Sequence, residues 1–292
     1  MRDSLLDLCR RYADAHVDPC GVAITPVTGL SIVRALHPGE LQAAVCRPLI
    51  AMLLQGRKRV TTGIESFEYG PGEIMVIAAD VPTVSQITQA SLGAPYYSLV
   101  LELDIAILRE LHGSTPAEQA HTASVRVGPV DEEVSDAAYR LARLLGQHDA
   151  LSALGEGLRR EFHYWLLRSV QGPAIRALGA ADSYAERVSR AVAILRKDFM
   201  RTIRVEELAD AAGMSVSVFH QHFRAITTLS PLQFQKQLRL ITARRLMLTE
   251  GVGIAQTAYA VGYASVSQFT REYARMFATP PGRDVRMAKA SA

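Results

Sequence analysis

Ser217, His220 and Gln221 are matched fifty positions later by Ser267, Thr270 and Arg271. Each set has the spacing i, i+3, i+4 that puts three side chains on one helix face. Their shared chemistry is hydrogen bonding: hydroxyl, imidazole and amide groups donate and accept, and a guanidinium presents a planar fork of donors. Elsewhere the residues that could do chemistry are sparse. Arg57-Lys58-Arg59 suits the carboxylate or phosphate of a small effector; the alternative is a solvated hairpin edge. Cys46 stands beside Arg47, a cation that would favour its thiolate; the alternative is an inert buried thiol. His37 and Glu40 have no companion ligands, so no metal site is expected. His112, His121, His148 and His163 are read as surface or core histidines. No Gly-x-Ser-x-Gly, phosphate-loop or dinucleotide-binding glycine pattern occurs, so no catalytic group and no cofactor are expected.

The elements that must position these residues fall into two parts. The chain has 292 residues, enough for two domains. With 49% apolar and 21% charged residues its composition is globular. Its apolar runs are too short to span a bilayer, and its charged N-terminus (Arg2, Asp3, Asp7, Arg10, Arg11) does not resemble a signal peptide. A cytoplasmic protein without a membrane partner is expected. Three cysteines, Cys9, Cys20 and Cys46, exclude a disulfide scaffold. The net charge of +3 is unevenly placed. Residues 1–181 hold 16 basic and 20 acidic side chains, net −4, and residues 182–292 hold 16 and 9, net +7. Basic charge gathered in one part suits a polyanion, because binding phosphates releases counterions.

The first part is expected to be α+β. A helix over residues 3–16 precedes short apolar runs at Gly21–Thr25, Leu30–Leu36, Leu49–Leu54, Arg59–Thr62, Glu73–Ala78, Val84–Ile87 and Tyr96–Leu103. Turn residues such as Gly70-Pro71-Gly72 separate them, the pattern of an antiparallel sandwich or small barrel. Helical periodicity returns at Ile105, Leu108 and Leu111. Residues 131–145 and 151–170 then form an amphipathic hairpin. Its Phe162, Trp165 and Leu166 could anchor a homodimer through 131–170, or pack on their own domain. Gln171-Gly172-Pro173 is expected to stop the hairpin, leaving a small-residue linker up to Ala181. The expected domains are 1–175 and 183–292.

The last third repeats itself. Ser215-Val216-Ser217-Val218-Phe219 recurs as Ser265-Val266-Ser267-Gln268-Phe269, Phe223 as Tyr273 and Pro231 as Pro281, all offset by 50. Ala209-x3-Gly213 recurs as Ala258-x3-Gly262, offset by 49. Each copy (205–225 and 254–276) reads as a helix-turn-helix: a small residue for close approach, a glycine ending the first helix, a serine capping the second. Phe219/Phe223 and Phe269/Tyr273 pack inward, leaving the two polar sets outward. A connecting helix over 231–249 begins with the capping box Ser230-Pro231-x-Gln233; Ser265-x-x-Gln268 is read as a second such box. At 1.5 Å per residue the connecting helix is about 28 Å long. That can hold two reading helices in successive major grooves, about 34 Å apart. Arg271 then suits guanine and Gln221 adenine. Arg224, Lys236, Arg239 and Arg275 suit phosphates, as do the helix N-termini at Ser215 and Ser265.

These residues resemble the AraC/XylS family of bacterial transcription regulators over about residues 185–286. The matching phrases are Arg204–Ala209, Met214-Ser215 to Phe223-Arg224, Leu229–Phe234, Arg239–Leu248, and Ile254-x3-Ala258-x3-Gly262-Tyr263-x-Ser265-x3-Phe269-x-Arg271-x-Tyr273-x3-Phe277-x2-Pro280. Ala278 stands where the family usually has Gly, and Val285 where an aromatic usually precedes Arg286. Leu53-Leu54-Gln55-Gly56-x-Lys58-x-Val60, Tyr69-x-Pro71-Gly72-Glu73 and Leu101–Asp104 are similar to one subgroup's N-terminal domain. The resemblance implies a cupin-like barrel that binds an effector or dimerises, double-stranded DNA and RNA polymerase as partners, activation of transcription, and no enzymatic activity. Two other readings stay open: a small-molecule enzyme with an appended DNA-binding module, and a dimerisation scaffold that senses nothing.

Overall fold

The computed structural model describes residues 3–63, 65–112, 124–180 and 182–291; His121 and Ala181 lie outside them. The chain divides into two compact units, Met1–Gln42 with Cys46–Glu186, and Arg187–Ala292 with Ala43–Val45.

The first unit opens with α1 (Leu5–His16), started by a reciprocal cap: Ser4 Oγ accepts from Asp7 N–H while the Asp7 carboxylate accepts from Ser4 N–H. The strands are β1 (Val22–Ile24), β2 (Leu30–Ala35), β3 (Gln42–Cys46), β4 (Leu49–Gln55), β5 (Arg57–Thr62), β6 (Glu65–Tyr69), β7 (Glu73–Ile77), β8 (Val81–Gln89) and β9 (Tyr96–Glu102). Then come α2 (Ile105–His112), β10 (Val125–Pro129), α3 (Glu132–Arg143), α4 (His148–Arg168) and α5 (Gly172–Gly179). One sheet has the order β1-β2-β9-β4-β7-β10 and the other β3-β8-β5-β6. The expected barrel is therefore two sheets that do not close. Their outer strands are short, three residues in β1 and five in each of β3, β6 and β10, leaving little ladder with which to join the edges.

Side-chain alternation explains the larger sheet. Ile50, Met52, Ile74, Val76, Leu99 and Leu101 line one face and share a core with α1, α3, α4 and α5. Ala51, Leu53, Met75, Ile77, Tyr96 and Ser98 line the other face and are buried as well. Burial on both sides is why β4 and β7 read as unbroken apolar runs. β3, β6 and β10 went unanticipated because they are polar or broken by Gly and Pro: Gln-Ala-Ala-Val-Cys, Glu-Ser-Phe-Glu-Tyr and Val-Arg-Val-Gly-Pro. The expected linker holds α5 instead. Pro173, expected as a stop, sits in the first turn, where its missing N–H costs nothing; Ala174 and Ile175 are buried.

α3 and α4 form the expected hairpin, joined by the Arg140–Glu161 ion pair. Phe162 and Leu166 are fully buried in this unit's own core, and half-buried Trp165 donates its indole N–H to Glu161 at 3.3 Å. Leu154 and Tyr164 are the large exposed apolar residues of α4, at 55% and 41%.

The second unit is helical: α6 (Tyr184–Asp198), α7 (Val205–Ala211), α8 (Val216–Thr227), α9 (Pro231–Thr249), α10 (Ile254–Ala260), α11 (Val266–Phe277) and α12 (Pro281–Ser291). α6, α7, α8 and the start of α9 share one core around Leu195, Leu208, Phe219, Phe223 and Phe234. Leu240, Ala243 and Met247 bury the remainder of α9. A helix with apolar residues all round is one enclosed on several sides. Among the described residues no helix is long and apolar enough to cross a membrane.

A polar node ties α4 to the end of β9. His163 is fully buried; Nδ1 donates to the Arg159 carbonyl (2.8 Å) and Nε2 accepts from Asp104 N–H (3.0 Å). Arg159 bridges Asp104 and Glu156 at 3.0 and 2.8 Å. This arrangement requires the neutral imidazole, and burial lowers its pKa. The unfolded chain therefore binds the proton more readily. The associated stability is complete above about pH 6.5, the unperturbed histidine value, and is lost as pH falls towards the folded pKa. We expect the melting temperature to drop between about pH 7 and pH 5, and the drop to shrink in His163→Gln; an equal slope in both would exclude His163 as its source.

Candidate nucleic-acid interface

In both modules of the second unit the turn is set by backbone conformation. Gly213 has φ +62° and Gly262 φ +89°, the left-handed region that favours glycine. At Gly262 a Cβ would lie 2.2 Å from the Met200 carbonyl. After each turn a serine caps the reading helix. Ser215 Oγ accepts from Val218 N–H and Ser265 Oγ from Gln268 N–H, both at 3.4 Å. The expected capping box at Ser230–Gln233 is complete. The one expected at Ser265–Gln268 is half made, because the Gln268 amide donates to Glu272 instead (3.2 Å).

The apolar side of each reading helix is used inside its module. Phe219, Phe223 and Phe234 meet in sequence through tilted and edge-to-face ring contacts, as do Tyr263, Phe269, Tyr273 and Phe277. The other side is bare. Ser217, His220, Gln221 and Arg224 of α8 are exposed, as are Ser267, Arg271 and Arg275 of α11, with Thr270 half-buried. Among the described residues the side chains of Arg224, Arg271 and Arg275 have no carboxylate partner. Val218, 38% exposed, joins the α8 face and was missed because an apolar residue is read as core; its place one turn from exposed Ser215 and Gln221 was the available signal.

Two of the four expected phosphate cations sit elsewhere. Lys236 pairs with Glu272 (2.8 Å), which also accepts from Tyr263. Burial raises the Glu272 pKa, but hydrogen bonds from Lys236, Gln268 and Tyr263 outweigh it and leave the carboxyl below its usual value. Arg239 donates to backbone carbonyls: Nε to Phe199 (2.8 Å), Nη1 to Gly262 (2.8 Å), Nη2 to Met200 and Arg201 (3.1 and 3.2 Å). Both are corrected from phosphate ligands to internal ties, since their donors are directed at protein acceptors. α12 is tied similarly: buried Asp284 accepts from Arg244 Nε (2.8 Å) and Tyr273 OH (2.5 Å).

In the first unit strand alternation breaks up the basic triplet. Arg57 and Arg59 are exposed, and Arg59 pairs with Glu68 across the β5–β6 ladder (2.8 Å). Lys58 turns to the opposite face, in register with buried Ile87 and Tyr69. Burial lowers its pKa, and Cys46 opposes this. Burial also raises the Cys46 thiol, despite its contact with Thr83 (3.1 Å) and the nearby Lys58 charge. The thiol is thus held protonated, against a reactive thiolate. Burial pushes Tyr96 up to about 12. Ser98 Oγ, on the same face of the larger sheet, is buried beside the Tyr96 hydroxyl. Lys58, Cys46, Thr83, Tyr69, Tyr96 and Ser98 are polar groups of this interior, with the Asp80 charge near Cys46; Arg57 and Arg59 are not among them. Among the described residues no cluster fit to hold a metal ion occurs.

A duplicated, serine-capped helix with an inward aromatic row and an outward polar face defines a double helix-turn-helix protein. Residues 26–174 match the family model of the AraC-type transcriptional regulator N-terminus, and residues 208–287 that of a helix-turn-helix domain. The chain belongs to the AraC family of transcriptional regulators. It is similar to a putative AraC-like transcription regulator of Streptomyces lividans, 28% identical over 57% of this chain and 53% of that one. It is also similar to the HTH-type transcriptional activator RhaS of Citrobacter koseri, 30% identical over 38% of this chain and 39% of that one. The chain spans about half the length, or less, of these curated relatives. Among solved structures, an apo ToxT variant of Vibrio cholerae shares the fold, with TM-score 0.55 and 11% identity over 89% of this chain and 98% of that one. The unsaturated fatty acid-bound wild-type ToxT from the same organism does so with TM-score 0.54 and 12% identity over 88% and 93%.

The departure from the family at Ala278 has a physical consequence. Thr228 and Ala278, again 50 apart, follow their reading helices with φ +63° and +55°. A side chain there costs about 1–2 kcal/mol relative to right-handed backbone. Ala278→Gly should stabilise the chain by about 0.5–1 kcal/mol after the added freedom of the unfolded chain is deducted. Gly262→Ala should destabilise it by at least about 1–2 kcal/mol from backbone strain alone. Denaturant melts of both variants check the pair; a loss in Ala278→Gly would contradict the strain.

Proposed function

We propose that this chain is a sequence-specific DNA-binding transcription regulator that works in the cytoplasm, as a non-enzymatic switch. The observation that carries the reading is the exposed polar face of two reading helices on one connecting helix. Ser217, His220 and Gln221 read one major-groove segment and Ser267, Thr270 and Arg271 the next, with Arg271 bidentate to guanine and Gln221 to adenine. Arg224, Arg275 and the helix N-termini at Ser215 and Ser265 take the phosphates. RNA polymerase is the partner the family implies, and α3–α4 with exposed Leu154 and Tyr164 is the homodimer surface.

A small anionic effector is the ligand of the first unit, seated by Lys58. One feature supports this: an ammonium in a largely buried interior with no carboxylate partner among the described residues, beside further polar groups of the same interior. The fatty acid in the ToxT structure is a precedent for an acid in this fold.

Arg271→Ala should cost about 1–3 kcal/mol at one base step and relax specificity there. Equal loss on every sequence would assign Arg271 to a phosphate instead; competition binding on single-base variants of a selected duplex separates these. In a thermal-shift panel of small carboxylates, aldehydes and nucleotides, an acid that binds only the folded state raises the melting point. Lys58→Met, which keeps the stem and removes the charge, should abolish that rise. A flat panel with the wild-type chain would favour the scaffold reading.

A further inference from the structure

The two modules are built alike, and in each an arginine closes the turn. In the first module Arg187 of α6 donates to the carbonyls of Ala212 and Gly213, closing the end of α7. In the second module Arg239 of α9 closes the end of α10 through the Gly262 carbonyl. Arg239 also reaches beyond its own module. Its remaining donors reach Phe199, Met200 and Arg201, the carbonyls that follow α6 of the other module. One turn earlier on α9, buried Gln235 donates to Phe199 and Arg201 at 2.9 and 2.6 Å. The guanidinium lies over the Tyr263 ring at 5.9 Å. The backbone at Gly262 comes so close to Met200 that no Cβ fits between them. A helix C-terminus carries partial negative charge, so a cation there is favoured. Here a single planar cation serves two such ends, one from each module.

We propose that Arg239 is a positioning residue: by joining the ends of α6 and α10 it locks the two reading helices at one separation and phase, so that the protein selects DNA by the spacing between its two half-elements. This rests on the DNA-reading function above. Without the tie, α9 and its apolar packing still connect the modules. What is lost is the fork that fixes the turn of the second module against the first. Each added base pair moves one half-element about 3.4 Å along the axis and rotates it about a tenth of a turn. A rigid pair of helices cannot follow that, and a loosened pair can.

The test uses the full chain and a duplex that the wild-type protein selects from a random-sequence pool, together with the same duplex carrying one inserted base pair between its halves. The wild type should lose about tenfold or more in affinity on the insertion. Arg239→Met should bind the parent duplex more weakly and show an insertion penalty of about threefold or less, with an unchanged salt slope. An unchanged insertion penalty would overturn the proposal; if the salt slope also falls by about one, Arg239 is a phosphate contact. Gln235→Met, which removes two bonds and keeps the cation, should move the penalty in the same direction and replaces Arg239→Met if that variant does not fold. A second readout needs no DNA: spin labels at Ala225→Cys and Arg275→Cys, in a chain with its own three cysteines replaced. The inter-label distance should be narrowly distributed with Arg239 present and broad in Arg239→Met; equal widths would overturn the proposal. If the wild type selects no duplex, the DNA-reading function fails, and the distance measurement still decides the tie.

Discussion

Helix ends are the constraint on which the second unit depends. α7 and α10 have seven residues each, and a helix leaves up to four N–H and four C=O groups unmet at its ends. In helices this short, most backbone polar groups are end groups. The sequence answers with one device per end. Left-handed glycines turn the chain at Gly213 and Gly262, serines meet the N–H groups at Ser215, Ser230 and Ser265, and arginines meet the carbonyls after α6, α7 and α10. Only then can the aromatic rows behind α8 and α11 be small, because packing does not have to hold the ends. The polar faces in front of those helices are left for a partner.

The first unit meets a related problem and leaves part of it unsolved. Its larger sheet is buried on both faces, and the interior it shares with the strand bearing Lys58 contains an ammonium without a carboxylate partner among the described residues, two tyrosine hydroxyls, a thiol and the Ser98 hydroxyl. Burying an unpaired polar group costs free energy, more so when it is charged. In the polar node of the same unit such groups are matched: His163 uses both ring nitrogens, and Arg159 bridges two carboxylates. The contrast separates a node that holds the fold from an interior whose donors have room for something else.

What was legible in the sequence follows the same physics. The repeat, the turns and the serine caps could be read because local geometry dictates them: glycine for positive φ, serine for an N-cap. β4, β7 and β9 were legible through their apolar runs. β3, β6 and β10 were not, since an edge strand needs no apolar side chains to pair. Pro173 was read as a stop, yet it begins α5, because the same ring that breaks a helix interior suits its first turn. The triplet Arg57-Lys58-Arg59 looked like one site until alternation divided it. Arg239 and Lys236 looked like phosphate ligands because a basic residue on a connecting helix gives no hint of carbonyls forty and twenty-three positions from Arg239, or of a carboxylate thirty-six positions from Lys236. Long-range polar ties are set by the packing of whole helices, and no local pattern announces them.

The charge of the second part gains its meaning from those ties. Its net +7 is counted over the whole stretch, but the charges are not equally available. Arg201 faces Asp198 and Glu207, Arg244 faces Asp284, Arg245 faces Glu250, and Lys236 faces Glu272. α8 carries no acidic residue, and Glu272, the one acid of α11, is neutralised from α9. Several acids are thus used in holding the modules, and among the described residues Arg224, Arg271 and Arg275 on the reading helices have no carboxylate partner, as is also true of Arg204, Arg283 and Arg286 elsewhere in the unit. Positive charge on those faces suits a polyanion, and the residues proposed to read it stand on the same faces. The same +7 scattered over the unit would bind without placing either helix in a groove.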